Sequence, residues 1–493
     1  MAGISSAGFA LPRLSLKADE ARKATGSWSA RGVIEKTVAP FDEDEVTLGV
    51  EAAQSAIRVM GLNPGRIGYL AFASAGAAAG AAALASTALG TPNAQAVDFR
   101  GAGPPFAAAL FAALQVSEAT EEAALVVAAD ALRARPEDAA DHPLGAGAAA
   151  FVVEKLGPVQ FVGRAFASVA ALEPSRVGDD GLVRSPLGDD PAPAALRLAL
   201  ETLFRSGATQ PGEHGLTGFS PESFDLAAGP ERAGVAISLH APPSFNAQAV
   251  APPMWPRCGD TGAASGALAL IAALEGAEAD DQLLVADVEG ASGAAFAAKV
   301  GARPPGAEGL RAAVAAARTH LSFQAYLGHR RYLPSPSPAH TKSEGAYVSP
   351  AAWEETLEAR LTLAASRCRD CGAVRHPPRD ACPDCGGAAL SKFSARPAGA
   401  VYAVTRIGRG GAPSEFALQQ QLVGEYAVAV IDMADSFRIV AQVSGADPQT
   451  TRIGDAVHLR LRRLFEQEGR VRYGLKAVPS APGHDPGASA RKD

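Results

Sequence analysis

Cysteine is scarce: five occur in 493 residues, and four of them crowd around residue 370, too few and too clustered for the disulfide framework of a small secreted scaffold. Charge of one sign is also missing. The 45 lysines and arginines and 52 aspartates and glutamates are interspersed, for a net charge of −7, whereas an electrostatic nucleic-acid binder concentrates a basic surplus; no nucleic-acid partner is expected. Long apolar runs are absent too. The stretch 75–85 (AGAAAGAAALA) holds two glycines and is too short to span a hydrocarbon core of ~30 Å, so it reads as a small-residue helix packed against neighbours, and no membrane partner is expected. The N-terminal string MAGISSAGFALPRLSLK lacks a charged leader followed by a long apolar core, which argues against a secretory signal and for a cytoplasmic protein.

What remains is a globular composition, 47 % hydrophobic and 20 % charged, long enough for two to four domains at ~100–200 residues each. From residue 3 to about 298, apolar runs of strand length (124–130, ALVVAAD; 149–154, AAFVVE; 282–288, QLLVADV) alternate with stretches of helical spacing at 46–60 and 262–275. That alternation predicts an α/β layer architecture. Residues 334–350 (PSPSPAHTKSEGAYVSP) are rich in proline, serine and charge, without periodicity, and read as a linker. A short amphipathic helix at 353–363 follows, then the cysteine cluster. From residue 399 come consecutive strands (GAVYAVTRI, EYAVAVIDM, FRIVAQVSG, DAVHLRLRRLF) without intervening helices, the pattern of a small antiparallel barrel. The expected plan is an α/β domain at 1–333, a linker at 334–350, a helix and ribbon at 351–395, a barrel at 396–479 and a disordered tail at 480–493.

Cys368-Arg-Asp-Cys371 and Cys382-Pro-Asp-Cys385 form a CxxC pair of pairs. Two such knuckles supply the four sulfurs that tetrahedral Zn²⁺ prefers, and four protein ligands leave no open position, so the metal would hold the fold. An iron site of rubredoxin type and a knuckle without metal are the alternatives. Gly372 and Gly386 follow each second cysteine, where a left-handed turn suits glycine. Two weaker strings carry nothing: the glycines at 145 and 147 precede a strand instead of opening a helix after one, and the Gly218-Phe-Ser220-Pro-Glu222 string lacks the last glycine of a nucleophile elbow.

The string RCRDCGAVRHPPRDACPDCGG, with the barrel strands and IGDAV after it, resembles the rubredoxin-like zinc ribbon plus OB-fold proteins that accompany thiolases and acyl-CoA synthases. The resemblance covers about 353–479 and implies a bridge between thiolase-like subunits. Residues 1 to about 333 resemble the archaeal-type 3-hydroxy-3-methylglutaryl-CoA synthases and, more distantly, ketoacyl synthase III, through EKTVAPFDEDEVTLGVEAA at 35–53, VDFRGAGPPFAAAL at 97–110, VVAADALRARPED at 126–138, GAGAAAFVVE at 145–154 and GDTGAASGALALIAALE at 259–275. This implies a thiolase-like αβαβα duplicated fold built from two similar halves.

The same resemblance implies three catalytic positions, and none holds the expected residue. In a pattern like DFxxAC the nucleophilic cysteine is replaced by Gly103, beside the unusual Arg100, which either rims the substrate tunnel or is simply solvated. Where the family has GSES, Ala75 takes the glutamate position; where it has FHQPN, Ser220 takes the histidine position, although His214 and His240 allow another register. Asp260 stands where ketoacyl synthase III has an asparagine and reads as a turn residue or a catalytic one. Cys258, the remaining thiol of this domain, reads as a small buried hydrophobe or a displaced nucleophile. The expectation is a non-catalytic subunit of an acyl-CoA acyltransferase complex: structural Zn²⁺, CoA or acyl-CoA as candidate ligand, a separate catalytic thiolase as partner, and self-association through the synthase-like domain. The alternatives are a self-sufficient condensing enzyme using Cys258 and an acyl-CoA-binding module without turnover.

Overall fold

The computed structural model describes residues 2–101, 104–171, 176–178, 181–184, 190–209, 226–228, 248–249, 254–332, 350–408, 411–467 and 470–480. Gly103, Ser220, His214, His240, residues 334–349 of the expected linker and the tail beyond Ser480 lie outside them. The chain divides into two compact units, Met1–Arg330 and Arg331–Asp493.

The first unit is a duplication. Strands β1 (Gly3–Ala10), β2 (Ile67–Ala73), β3 (Gln95–Phe99), β4 (Ala123–Asp130) and β5 (Gly147–Glu154) make one half, and β6 (Val159–Ser168), β7 (Leu226–Ala228), β8 (Gln248–Ala249), β9 (Gln282–Glu289) and β10 (Ser292–Val300) the other. The spatial order is β3-β2-β4-β5-β1-β6-β10-β9-β7-β8, so each half repeats the order third, second, fourth, fifth, first. The halves join where β1 and β6 pair antiparallel through Gly3 with Gln160 and Ile4 with Val159.

Helices α1 (Glu45–Met60), α2 (Ala81–Leu89), α3 (Pro105–Thr120), α4 (Ala192–Thr209) and α5 (Ala263–Gly276) complete the layers. Because side chains alternate along a strand, β4 sends Ala124, Val126 and Ala128 into the core shared by α3 and α5, while Val127 faces Gly49 of α1. Likewise β9 sends Leu283 and Val285 to the central core and Leu284, Ala286 and Val288 to the core under α4. The five layers are therefore α1 with α2, the first half-sheet, α3 with α5, the second half-sheet, and α4. Helix α5 is apolar all round (AASGALALIAALEG) and buried from Ala267 to Leu274, which is the composition a central helix needs. The run 75–85 is helical only in part: α2 starts at Ala81 because Gly80, at φ 90°, breaks the path, and 75–80 is a loop.

In the second unit the expected single helix is two, α6 (Pro350–Glu355) and α7 (Leu357–Thr362). They part at Thr356, whose hydroxyl donates to the Trp353 carbonyl at 3.3 Å and accepts from Arg360 Nε at 2.8 Å. Strands β11 (Ala364–Cys368), β12 (Val374–Arg375) and β13 (Leu390–Ser394) form the ribbon sheet in the order β12-β11-β13. Strands β14 (Ala398–Ile407), β15 (Tyr426–Met433), β16 (Arg438–Gln442), β17 (Ala456–Gln467) and β18 (Arg470–Pro479) follow in the order β16-β15-β14-β17-β18. The two edges meet at a parallel bridge between Val443 and Ala477, with Ser444 N–H donating to the Ala477 carbonyl at 2.9 Å, so the sheet closes. The expectation of no intervening helix fails: α8 (Ala417–Val423) stands between β14 and β15, where ALQQQLV is a run of good helix formers. Among the described residues no helix is long and apolar enough to cross a membrane.

Candidate functional site

The four ribbon cysteines converge. Their sulfurs all lie within 4.8 Å of one another, with 3.6 Å between Cys368 and Cys385 and between Cys371 and Cys382. Four thiolates at about 2.3 Å from a tetrahedral Zn²⁺ sit about 3.8 Å apart, far from the ~2.05 Å of a disulfide, so the donor set and spacing fit zinc. The two knuckles repeat each other. Gly372 N–H donates to Cys368 O and Gly386 N–H to Cys382 O, at 3.0 and 2.9 Å, while Cys368 N–H donates to Ala373 O and Cys382 N–H to Gly387 O. Gly372 and Gly386 take φ 77° and 74°, the left-handed geometry that glycine enters without strain. The Ala373 N–H points at the Cys371 sulfur and the Asp384 and Cys385 N–H groups at Cys382, the kind of outer-shell donation that stabilises thiolates on a metal.

A second constellation lies where α3 and α5 begin. Asp130, the last residue of β4, is fully buried and accepts from Ser74 Oγ at 2.6 Å, Ala75 N and Gly76 N at 3.0 Å, and Ala263 N at 2.8 Å. It thereby fixes the loop bearing Ala75 and caps α5, a helix of the other half. Asp287, on β9, makes the reciprocal contact, accepting from Ala107 N in the first turn of α3 at 3.1 Å. Burial pushes Asp130 up to about 6 and Asp287 up to about 7. Neither aspartate was singled out from sequence. Each is the one acid inside an otherwise apolar strand-length run (ALVVAAD, QLLVADV), and that is the signal that could have found it, because an unpaired carboxylate is excluded from such a layer.

The other expected residues scatter. Ala75 is half-buried beside Leu132 and Leu144. Arg100 is exposed. Asp260 organises its turn, accepting from Gly262 N at 3.0 Å and Ser265 Oγ at 3.1 Å. Cys258 is fully buried, its sulfur accepting from Arg318 Nη2 at 3.6 Å with Glu35 and Arg257 near by. Burial pushes this thiol up to about 11, so at neutral pH it is protonated and not nucleophilic. A further buried cluster went unread in sequence. Lys36 Nζ donates to Asp141 Oδ2 at 2.9 Å and to Tyr326 Oη at 3.0 Å, tying the 35–38 strand to the helix Phe323–His329.

The zinc-ribbon family described as ChsH2, rubredoxin-like zinc ribbon domain, matches residues 358–391. A DUF35 domain-containing scaffold protein of Methanothermobacter thermautotrophicus is 30 % identical over 125 residues, covering 24 % of this chain and 88 % of that one. Through its C-terminal part the chain belongs to the DUF35 scaffold family. Ahead of this DUF35 part lies an HMG-CoA synthase-like domain of thiolase fold. The hydroxymethylglutaryl-CoA synthase of Archaeoglobus fulgidus is 34 % identical over 167 residues, 31 % of this chain and 48 % of the relative, so the chain spans about half the length of that relative. Among solved structures, MvaS in complex with 3-hydroxy-3-methylglutaryl coenzyme A superposes with a TM-score of 0.55 at 22 % identity, over 68 % of this chain and 93 % of the other.

Proposed function

We propose that this chain is the non-catalytic subunit of a thiolase-type acyl-CoA acyltransferase complex, a cytoplasmic pseudo-synthase that scaffolds a separate catalytic thiolase and helps bind or pass CoA thioesters in 3-oxoacyl-CoA cleavage or formation. The observation that carries the reading is the residue at each of the three resemblance-assigned catalytic positions: Gly103 has no thiol to acylate, Ala75 has no carboxylate, and the hydroxyl of Ser220 does not replace an imidazole base. A DUF35 scaffold-type region on the same chain supports the bridging half of it. The closed five-stranded sheet, whose third and fifth strands meet in parallel, supports an OB-type barrel across 396–479. Edge strand β3, half-buried from Ala96 to Phe99 and with no strand on its outer side among the described residues, supports self-association through the synthase-like domain.

A second reading, condensation by the chain itself, draws on the synthase relatives. The deciding experiment is co-purification with a candidate thiolase, followed by assay of each component and the mixture with 3-oxoacyl-CoA and free CoA. Activity in the thiolase or the mixture only, unchanged by Cys258→Ala, is expected. Turnover by this chain alone overturns the proposal, and its loss in Cys258→Ala would make that thiol the nucleophile.

A further inference from the structure

The four ribbon sulfurs are alike as zinc ligands but not in their access to solvent. Cys368, at the end of β11, and Cys382 are 1 % and 3 % exposed, whereas Cys371 and Cys385, the second cysteine of each knuckle, are exposed. The cause is local. A left-handed glycine follows each exposed cysteine, and a Cβ at Gly372 or Gly386 would meet nothing within 4 Å beyond its chain neighbours, so no other segment covers that side of the cluster. The two knuckles also interlock. Arg369 N–H of the first donates to the Ala389 carbonyl beyond the second at 2.8 Å, Arg375 pairs with Asp384, and the Asp370 carboxylate lies where a Cβ at Gly387 would stand. With the knuckles so nested, buried Cys382 lies 3.6 Å from exposed Cys371, and buried Cys368 lies 3.6 Å from exposed Cys385. Each close pair therefore joins an exposed sulfur of one knuckle to a buried sulfur of the other.

We propose that the ribbon is an oxidant-sensitive metal clasp, in which Cys371 and Cys385 are the sulfurs that a peroxide reaches and Cys382 and Cys368 are the sulfurs that resolve them. A thiol that ligates a metal is deprotonated outright, and an exposed thiolate beside a second cysteine is the combination that makes oxidation site-selective and reversible. The Cys371 sulfur attacks one oxygen of hydrogen peroxide: an S–O bond forms, the O–O bond breaks, and the departing hydroxide takes up a proton to become water. The Cys382 sulfur then attacks the Cys371 sulfur: an S–S bond forms, the S–O bond breaks, and a second hydroxide leaves and is protonated. Two thiolates, one peroxide and two protons thus give one disulfide and two waters, with two electrons passing from sulfur to oxygen. Cys385 and Cys368 repeat the sequence. Each closure brings sulfurs from 3.6 Å to ~2.05 Å and removes two of the four thiolates that a closed zinc site requires. The disulfides run between the knuckles, unlike the bond within the motif that a CxxC redox pair forms.

The test treats the zinc-loaded full chain with hydrogen peroxide and takes the buried Cys258 as internal reference. Cleavage on the amino side of aspartate puts each ribbon cysteine in its own peptide, because Asp370, Asp380 and Asp384 stand between them, so mass spectrometry reads every adduct and every pairing. Dimedone, which traps sulfenic acids, is expected on Cys371 and Cys385. The expected disulfides join the Cys371 peptide to that of Cys382 and the Cys385 peptide to that of Cys368. The zinc is expected to be lost completely to a chromogenic chelator that does not remove it without peroxide, while Cys258 is still reduced, and to be bound again after dithiothreitol and fresh zinc. First adducts on Cys368 or Cys382 overturn the proposal, as do disulfides within Cys368–Cys371 and Cys382–Cys385. Zinc retained until Cys258 itself is oxidised overturns it equally. None of these readouts involves turnover, so their failure is separate from failure of the non-catalytic reading.

Discussion

The ribbon and the ends of the central helices are both places where polar groups converge, but they are assembled over very different distances in the chain. The four ribbon sulfurs come from residues 368–385 and two near-identical turns. The helix-end constellation brings Asp130 to Ala263 and Asp287 to Ala107, residues 133 and 180 positions apart in the chain, across the two halves of a duplicated fold. A short-range site keeps its chemistry legible in spacing, while a long-range one is assembled only by the fold. In the first unit, of thiolase fold, buried carboxylates tie the helices of one half to the strands of the other.

The sharpest way to break this contrast is to remove the metal. Cys382→Ser, or strong chelation, is expected to abolish zinc binding and unfold the ribbon, since metal-linked folding of such modules is on the order of 10 kcal/mol; elemental analysis and limited proteolysis should show cleavage confined to the second unit, and retention of a protected ribbon without metal would refute the structural role. Next in size is Asp130→Ala, which removes the shared acceptor of four donors, two of them in buried contacts, and is expected to lower the stability of the first unit by about 3 kcal/mol by denaturant titration. Because the folded carboxyl binds its proton at about 6 against 3.8 for the free group, the folded state holds more protons between those values. The wild-type advantage over Asp130→Ala is therefore greatest near the lower value, falls as pH rises to about 6, and is constant above.

Smaller effects sharpen the comparison further. Cys258→Ala trims a buried sulfur and is expected to cost about 1 kcal/mol in the thermal midpoint of the first unit, while in the native wild-type chain this thiol resists alkylating reagents that label exposed cysteines; rapid native labelling would show that it reaches solvent. Gly372→Ala is the least of the series. The position is left-handed at φ 77° yet has nothing within 4 Å of a Cβ, so the penalty is backbone strain alone, about 1 kcal/mol, read as a modest fall in the ribbon's unfolding midpoint with zinc content unchanged.

Much of the layer plan was readable. The apolar runs at 124–130, 149–154 and 282–288 fall on β4, β5 and β9, and the helical spacings at 46–60 and 262–275 on α1 and α5, because two-residue and 3.6-residue periods survive in any buried element. The last barrel strand was not named, since RVRYGLKAVP alternates charge with small residues and its burial comes from pairing with β17 over its whole length. Helix α8 was missed because QQQ carries no apolar stripe. The break at Thr356 and the loop at 75–80 turn on single hydrogen bonds and one glycine dihedral, which composition does not encode.

By itself the sequence determined the α/β class and the four-cysteine set whose spacing fits zinc. These are matters of residue identity and short spacing, which the chain carries in linear form. Only the tertiary structure decided that Cys258 lies buried against Arg318, that Ala75 is held by Asp130, and that Asp287 stands at the head of α3. Each of those depends on which strand of one half is laid beside which helix of the other, and desolvation there, more than residue type, sets whether a thiol or a carboxylate is charged.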